Sequence, residues 1–259
     1  MINLSAEAII KSQARDTLKK NYVRAVIALL IVLLPYYIID GATTILSCLF
    51  SFLISDDALR SAVIYSFGYT VEILAFFFFS PVLNGYIRAF YNASYTGEID
   101  LADVYYYFAE GRYKTALKLN LGYIARLLLP AAVLYLPLVL FEVFSASIGG
   151  DFHGSVLYND VFFILSALAT TALFMYSLRY FIIFTIPADV ENITAKQAFT
   201  YSRYVMKNNT AKTNRLVLSF IPWMLLCLLV LPALYVIPYM TQSLCISAKW
   251  MTKATFEVK

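Results

Sequence analysis

Residues 23 to 40, VRAVIALLIVLLPYYIID, form an apolar run whose only charges are Arg24 near one end and Asp40 at the other. At about 1.5 Å of helical rise per residue the run measures about 27 Å, close to the hydrocarbon thickness of a bilayer. Inside lipid each backbone polar group must be satisfied within its own segment, and an apolar run without period-two alternation does that as a helix. Five further apolar runs follow, at 61–90, 118–144, 160–187, 216–230 and 233–251. The chain therefore reads as all-α, a polytopic membrane helical bundle. Six transmembrane helices and several amphipathic interfacial helices make one integral membrane domain over residues 1–259.

The intervening segments set the orientation. Every lysine and arginine except Arg60, Arg126 and Arg179 falls on one side of the six-span reading, whereas Asp40, Asp56, Asp57, Glu142, Asp151 and Asp160 fall on the other. Basic residues mark the cytoplasmic side, so both termini are expected in the cytoplasm, with the chain multi-pass in a bacterial plasma membrane. A net charge of +4 distributed by side argues for topology and against nucleic acid as a partner. The stretch 41–54 is too short for its own crossing and is read as an outer-leaflet extension or half-helix. No cleaved signal peptide is expected, because an amphipathic helix precedes the first span. The "ILSC" at 45–48 is a poor lipidation box, since Leu46 suits it badly and Asp40 interrupts the approach.

Three connecting segments carry amphipathic pattern. Residues 5–20 place Ala6, Ile9, Ile10, Ala14 and Leu18 along one helical face, describing a helix on the cytoplasmic surface. In the connector 194–209, Thr194 and Gln197 form a capping box, and Ala195, Ala198, Phe199, Ser202, Val205 and Met206 recur at three- and four-residue spacing. Lys196, Arg203 and Lys207 occupy its other faces. In the connector 95–114, Asp100 caps a short helix whose Leu101, Val104, Tyr105 and Phe108 face the membrane or bundle, and Gly111 ends it. Tyr105, Tyr106 and Tyr107 suit the headgroup region. Interfacial anchoring is the plainest use of both connectors. A docking surface for a cytoplasmic partner or for lipid headgroups, made of Lys196, Arg203, Lys207, Tyr105 and Tyr106, is the sharper one.

The N-terminal amphipathic segment, "SPVLNGY" (80–86), "GEIDLADVYYYF" (97–108), "AKQAFTYSRYVMKNN" (195–209), "LSFIPWMLL" (218–226) and "YVIPY" (235–239) resemble, in order and spacing, the bacterial integral membrane family called domain of unknown function 975. The resemblance covers nearly the whole chain and implies a six-helix membrane protein without an established activity. Where the family pattern has glycines after the Met-Lys pair and before the tryptophan, this chain has Asn208 and Pro222. The closing hairpin carries Pro232 in place of glycine, which makes the chain a divergent member.

Three ionisable residues fall inside the expected spans: Glu72, Arg126 and Arg179. A charge at the bilayer centre costs about 2.5 to 3.5 kcal/mol on insertion scales, so each is expected to face protein or water. Glu72 and Arg126 are expected to pair across adjacent helices, and Arg179 to snorkel to headgroups. Prolines in or beside every span are compatible with the broken helices of transporters, though packing kinks are the commoner use, and Pro35 is expected to kink the outer half of the first span. The run "SALATTAL" (166–173) offers a close-approach face for a homodimer, ordinary packing again being the commoner use. Walker, GxSxG, HExxH and GxGxxG motifs do not occur, and Cys48, Cys227 and Cys245 stand singly. His153, the only histidine, lies among glycines in an outer loop. No catalytic residue, metal site or cofactor is expected.

The leading expectation is a nonenzymatic transporter-like or permease-like component that docks a cytoplasmic or membrane partner. The alternatives are a self-sufficient small transporter or channel using Glu72 and Arg126, and a lipid-interacting structural membrane protein.

Overall fold

A computed structural model of the chain describes residues 6–109, 111–148, 155–190, 193–227 and 229–256. Ser5, Asp151 and His153 lie outside them. The described residues form α1 (Ala6–Leu53), α2 (Asp57–Thr96), α3 (Arg112–Ile148), α4 (Val156–Ser177), α5 (Ile186–Asp189), α6 (Ala195–Met206), α7 (Thr210–Leu218), α8 (Ile221–Leu226) and α9 (Val230–Phe256). Two 3-10 helices, Leu101–Phe108 and Leu178–Phe184, join them, and no strand is present among the described residues. The all-α expectation holds. Among the described residues, four segments are long and apolar enough to cross a membrane: Ala6–Leu53, Asp57–Thr96, Arg112–Ser145 and Val156–Asp189.

α1 holds the interfacial segment from Ala6, the span 23–40 and the stretch that follows it, which continues the helix to Leu53. The helix runs past Asp40 since little there competes with it. Thr43, Thr44 and Ser51 donate their hydroxyls to the carbonyls of Ile39, Asp40 and Ser47 at 2.8, 3.0 and 2.9 Å. The stop comes only before Asp56, whose carboxylate caps α2 by accepting from the Leu59 N–H at 2.7 Å. Helical angles fail at Asn21 (φ −123°, ψ 20°) and not at Pro35, where a kink is the sequence expectation. The Asn21 amide donates to Thr17 O at 3.0 Å and Gly97 O at 2.8 Å, and its oxygen accepts from Ile99 N at 3.4 Å. That one side chain marks where the N-terminal segment turns into the long arm and ties the turn to the end of α2.

Two other expected spans are not single helices. Within 160–187, α4 stops at Ser177, and the chain continues through the 3-10 helix Leu178–Phe184 before Pro187 opens α5. Within 216–230, α7 ends at Leu218 and α8 begins at Ile221 with Pro222 in its first turn. Proline fits a first turn, where its missing N–H would be unpaired anyway, and it clashes with the carbonyl four residues earlier, so the helix restarts there. The Ser219 carbonyl at this break accepts from Lys11 Nζ at 3.1 Å.

The molecule has a packed base and splayed arms. Buried residues cluster from Ile10 to Leu29 on α1, Val82 to Ala93 on α2, and Ile182, Ile186, Val205, Met206, Leu216 and Phe220 on the later elements. α9 lies through this core, with Tyr239, Gln242, Cys245, Ile246 and Ala248 buried. Beyond the base, α1 and α2 form one hairpin, in which Phe50 meets Phe67 at 5.5 Å. α3 and α4 form another, in which Phe141 stacks on Tyr158 at 5.5 Å. Large apolar side chains such as Ile38, Phe52, Tyr65, Leu129, Phe163 and Leu168 point outward along these arms. That is the inverse of a water-soluble bundle and suits lipid as the solvent.

Candidate anion site at the base of the bundle

The connector 95–114 shows how tightly the base is built. Asp100 caps its helix by accepting from Ala102 N at 2.9 Å, as the sequence reads, and Gly111 beyond it has φ of 79°. The helix is 3-10, however, with three residues per turn, so Leu101, Val104 and Tyr107 share the inner side. Of the expected face, Leu101 and Val104 pack inward, while Tyr105 and Phe108 are exposed on the outer side. Val104 sits so close to α2 that a Cβ on Gly85 would lie 2.0 Å from its carbonyl oxygen. Asp103 accepts from Arg88 Nε at 3.1 Å and Asn92 Nδ2 at 2.7 Å. Arg88 also donates to Pro187 O at 3.2 Å. The Tyr106 ring is clamped between the guanidinium groups of Arg88 and Arg112, whose carbons stand 3.6 and 4.0 Å from its centroid. Tyr106 is therefore an internal strut, and only Tyr105 of the two remains open. Arg88, Asn92 and Asp103 do not stand out singly in the sequence, although Arg88 and Asn92 lie one helical turn apart on one face.

The connector 194–209 forms α6 with the predicted capping box in place: Gln197 N donates to Thr194 Oγ1 at 3.4 Å, and Thr194 N donates to Gln197 Oε1 at 3.0 Å. Its apolar side is buried at Ala198, Phe199, Ser202, Val205 and Met206. Phe199 packs with Tyr180 and Ile183 of the neighbouring 3-10 helix. Arg126 reaches this knot from α3, its guanidinium carbon 3.5 Å from the Phe199 ring centroid and its Nη1 donating to Gly122 O at 2.8 Å. The expected ion pair with Glu72 is not formed among the described residues. A cation on an aromatic face plus one carbonyl satisfies Arg126 locally, so it has no need of the distant carboxylate. Gly122 allows the approach, since a Cβ there would stand 2.7 Å from the Phe199 ring.

Arg179, Arg203 and Lys207, taken separately in the sequence as an intramembrane residue and as parts of a surface, line one cavity of about 600 Å³ together with Tyr180, Met206 and Thr210. None of the three makes a salt bridge to a described carboxylate. Arg179 leans over the Tyr176 ring at 4.6 Å. Arg203 on α6 and Lys207 at its C-terminal cap follow at i and i+4, about 6 Å apart along one face. α4 has 22 residues, about 33 Å of helix, comparable to the hydrocarbon thickness of a bilayer, and Arg179 follows two residues beyond its end at Ser177. Lys196 is exposed on α6 and does not line the cavity.

Two other cavities differ in charge. One of about 440 Å³ between α1, α2 and α9 carries both signs, with Asp16, Lys20 and Lys249 on its walls. One of about 310 Å³ between the arms of α1 and α2 is lined by Tyr36, Asp40, Thr43, Gly68 and Glu72. No group of three or more metal-ligating side chains occurs among the described residues.

Comparison with protein families gives a match, covering residues 4–253, to the family described as "Protein of unknown function (DUF975)". The chain belongs to the DUF975 family. The segments that carried the resemblance are those that build the base: Gly85 and Asn84 of "SPVLNGY" seat the 3-10 helix and α3, and "GEIDLADVYYYF" supplies Asp103, Val104 and Tyr106. No curated protein and no solved structure matches the chain.

Proposed function

We propose that this DUF975 protein is a nonenzymatic, lipid-interacting protein of the bacterial plasma membrane, whose packed base receives an anionic headgroup at the inner surface. Six membrane-embedded segments with both termini cytoplasmic complete this reading. α1 to α4 cross fully, and the closing hairpin of 216–230 and 233–251 supplies the last two, its first arm broken at Ser219 and Phe220. The carrying observation is the convergence of Arg179, Arg203 and Lys207 on one cavity without a described acidic partner. Unpaired cations between membrane helices at the cytoplasmic boundary are suited to acidic lipid headgroups. The exposed apolar arms supply the adjacent lipid surface. Purification of the full chain in mild detergent, followed by lipid extraction, should recover anionic phospholipid with the wild type and much less with Arg179→Gln/Arg203→Gln/Lys207→Gln. Equal recovery from both would refute the reading.

The partner-docking component loses ground to this reading, because the apolar face of α6 is already committed to the core. A stoichiometric acidic protein in the same preparation would restore it. The transporter reading draws on a separate observation, the cavity shared by Asp40 and Glu72 between the arms of α1 and α2. Flux into proteoliposomes that Glu72→Gln abolishes would favour it. Arg126, bound to Phe199 and Gly122, has no part in it.

A further inference from the structure

We infer that the ligand of the Arg179, Arg203 and Lys207 cavity is a lipid headgroup carrying two phosphates, of the diphosphatidylglycerol type, which deepens the headgroup reading above and rests on it. The cavity holds three cations on two separate elements, the 3-10 helix Leu178–Phe184 and α6. One phosphate facing three cations leaves excess positive charge, whereas two phosphates nearly balance it. The i, i+4 spacing of Arg203 and Lys207 sets two donors about 6 Å apart, so each can serve a different phosphate. Arg179, on the facing element, supplies the fork geometry that holds a phosphate through two parallel bonds. At about 600 Å³ the cavity exceeds the needs of a single phosphate and has room for a glycerol bridge. Its wall is partly apolar at Met206, and exposed Phe174 and Leu168 on the adjoining α4 continue toward the membrane interior, where acyl chains belong. The 440 Å³ cavity, with Asp16 beside Lys20 and Lys249, lacks this charge imbalance.

The test is native mass spectrometry of the full chain in detergent, titrated with diphosphatidylglycerol, with phosphatidylglycerol at equal total charge, with phosphatidylethanolamine, and with inorganic pyrophosphate. Diphosphatidylglycerol should bind about tenfold tighter than phosphatidylglycerol at equal charge, and Arg179→Gln or Lys207→Gln should erase that preference. Lys196→Gln, a cation of α6 outside the cavity, should leave it intact. The three cavity side chains are not core residues, and an unchanged circular dichroism melt confirms that each variant folds. Equal binding of the two anionic lipids overturns the two-phosphate assignment and leaves the headgroup reading standing. Absence of binding by any anionic lipid overturns both. Displacement of bound lipid by pyrophosphate, with no preference among lipids, assigns the cavity to a soluble diphosphate and overturns the lipid assignment. A tightly held acidic protein in place of lipid does the same.

Discussion

Gly85, Asp103 and Tyr107 show how single side chains hold the base together. At Gly85 a methyl group would collide with the carbonyl of Val104, so Gly85→Ala should destabilise by about 1 to 3 kcal/mol, read as a lowered melting midpoint in detergent. Asp103 and Arg88 are only 16% and 13% exposed, which makes their pairing costly to break. Asp103→Ala leaves Arg88 buried without its carboxylate and should cost about 3 kcal/mol or more, whereas Glu98→Ala, on an exposed pair with Arg24, should cost under about 1 kcal/mol. Burial pushes the Tyr107 hydroxyl up to about 12 from its ordinary 10, against the opposing charge of Arg88. Between pH 10 and 12 the unfolded chain releases this proton and the folded chain keeps it. Its contribution is thus complete below pH 10 and declines as the pH rises through that window. Tyr107→Phe should flatten this part of the stability profile in alkaline denaturation, and an unchanged slope would contradict the assignment. Fully buried Gln242 has no hydrogen-bond partner for either end of its amide among the described residues, so Gln242→Leu should raise stability by about 1 to 3 kcal/mol.

At the scale of elements, the sequence was most informative where one local rule governed. The capping box of Thr194 and Gln197, the buried face of α6 and the cap at Asp100 all appear as read, because each depends on neighbours within four residues. Thr194→Ala should accordingly cost about 1 kcal/mol, measurable as a shift in the melt. Boundaries set by distant contacts were less legible. The break at Asn21 falls between the segments 5–20 and 23–40 as read, but the partners that hold it, Gly97 and Ile99, lie far along the chain and no local pattern points to them. The 3-10 winding of Leu101–Phe108 and the close seat of Val104 on Gly85 are not disclosed by spacing alone. The ion pair assigned to Glu72 and Arg126 failed for a related reason. Depth along two spans brings Glu72 and Arg126 near one another, but the aromatic partner of Arg126 comes from α6, three α-helices later. The convergence of Arg179 with Arg203 and Lys207 was illegible for the same cause. Composition marked each residue singly, and only the fold of the 3-10 helix against α6 joins them.

The whole molecule divides into a base whose helices bury their side chains and four arms that display theirs. Apolar composition made the membrane class legible at once, since 61% hydrophobic residues cannot be packed inside a chain of this length with so little charge outside. It did not reveal the inequality between the two halves. Asn84 and Asn120, donating to Ala116 O at 3.4 Å and Ser80 O at 3.5 Å, join α2 to α3 low in the structure. Large apolar side chains face outward above that level. Lipid is the solvent that suits the arms, and the proposed function puts the base at the cytoplasmic surface with its cations among headgroups. Cys48, exposed on α1, stands about 39 Å of helix beyond Tyr22, farther than the hydrocarbon core is thick. The most direct measurement is labelling of intact cells with a membrane-impermeant maleimide, comparing wild-type Cys48 with Lys207→Cys in a Cys48→Ser, Cys227→Ser, Cys245→Ser background. Cys48 should react in intact cells and the cysteine at position 207 only after lysis. Reaction at position 207 in intact cells, with Cys48 protected, would contradict the account.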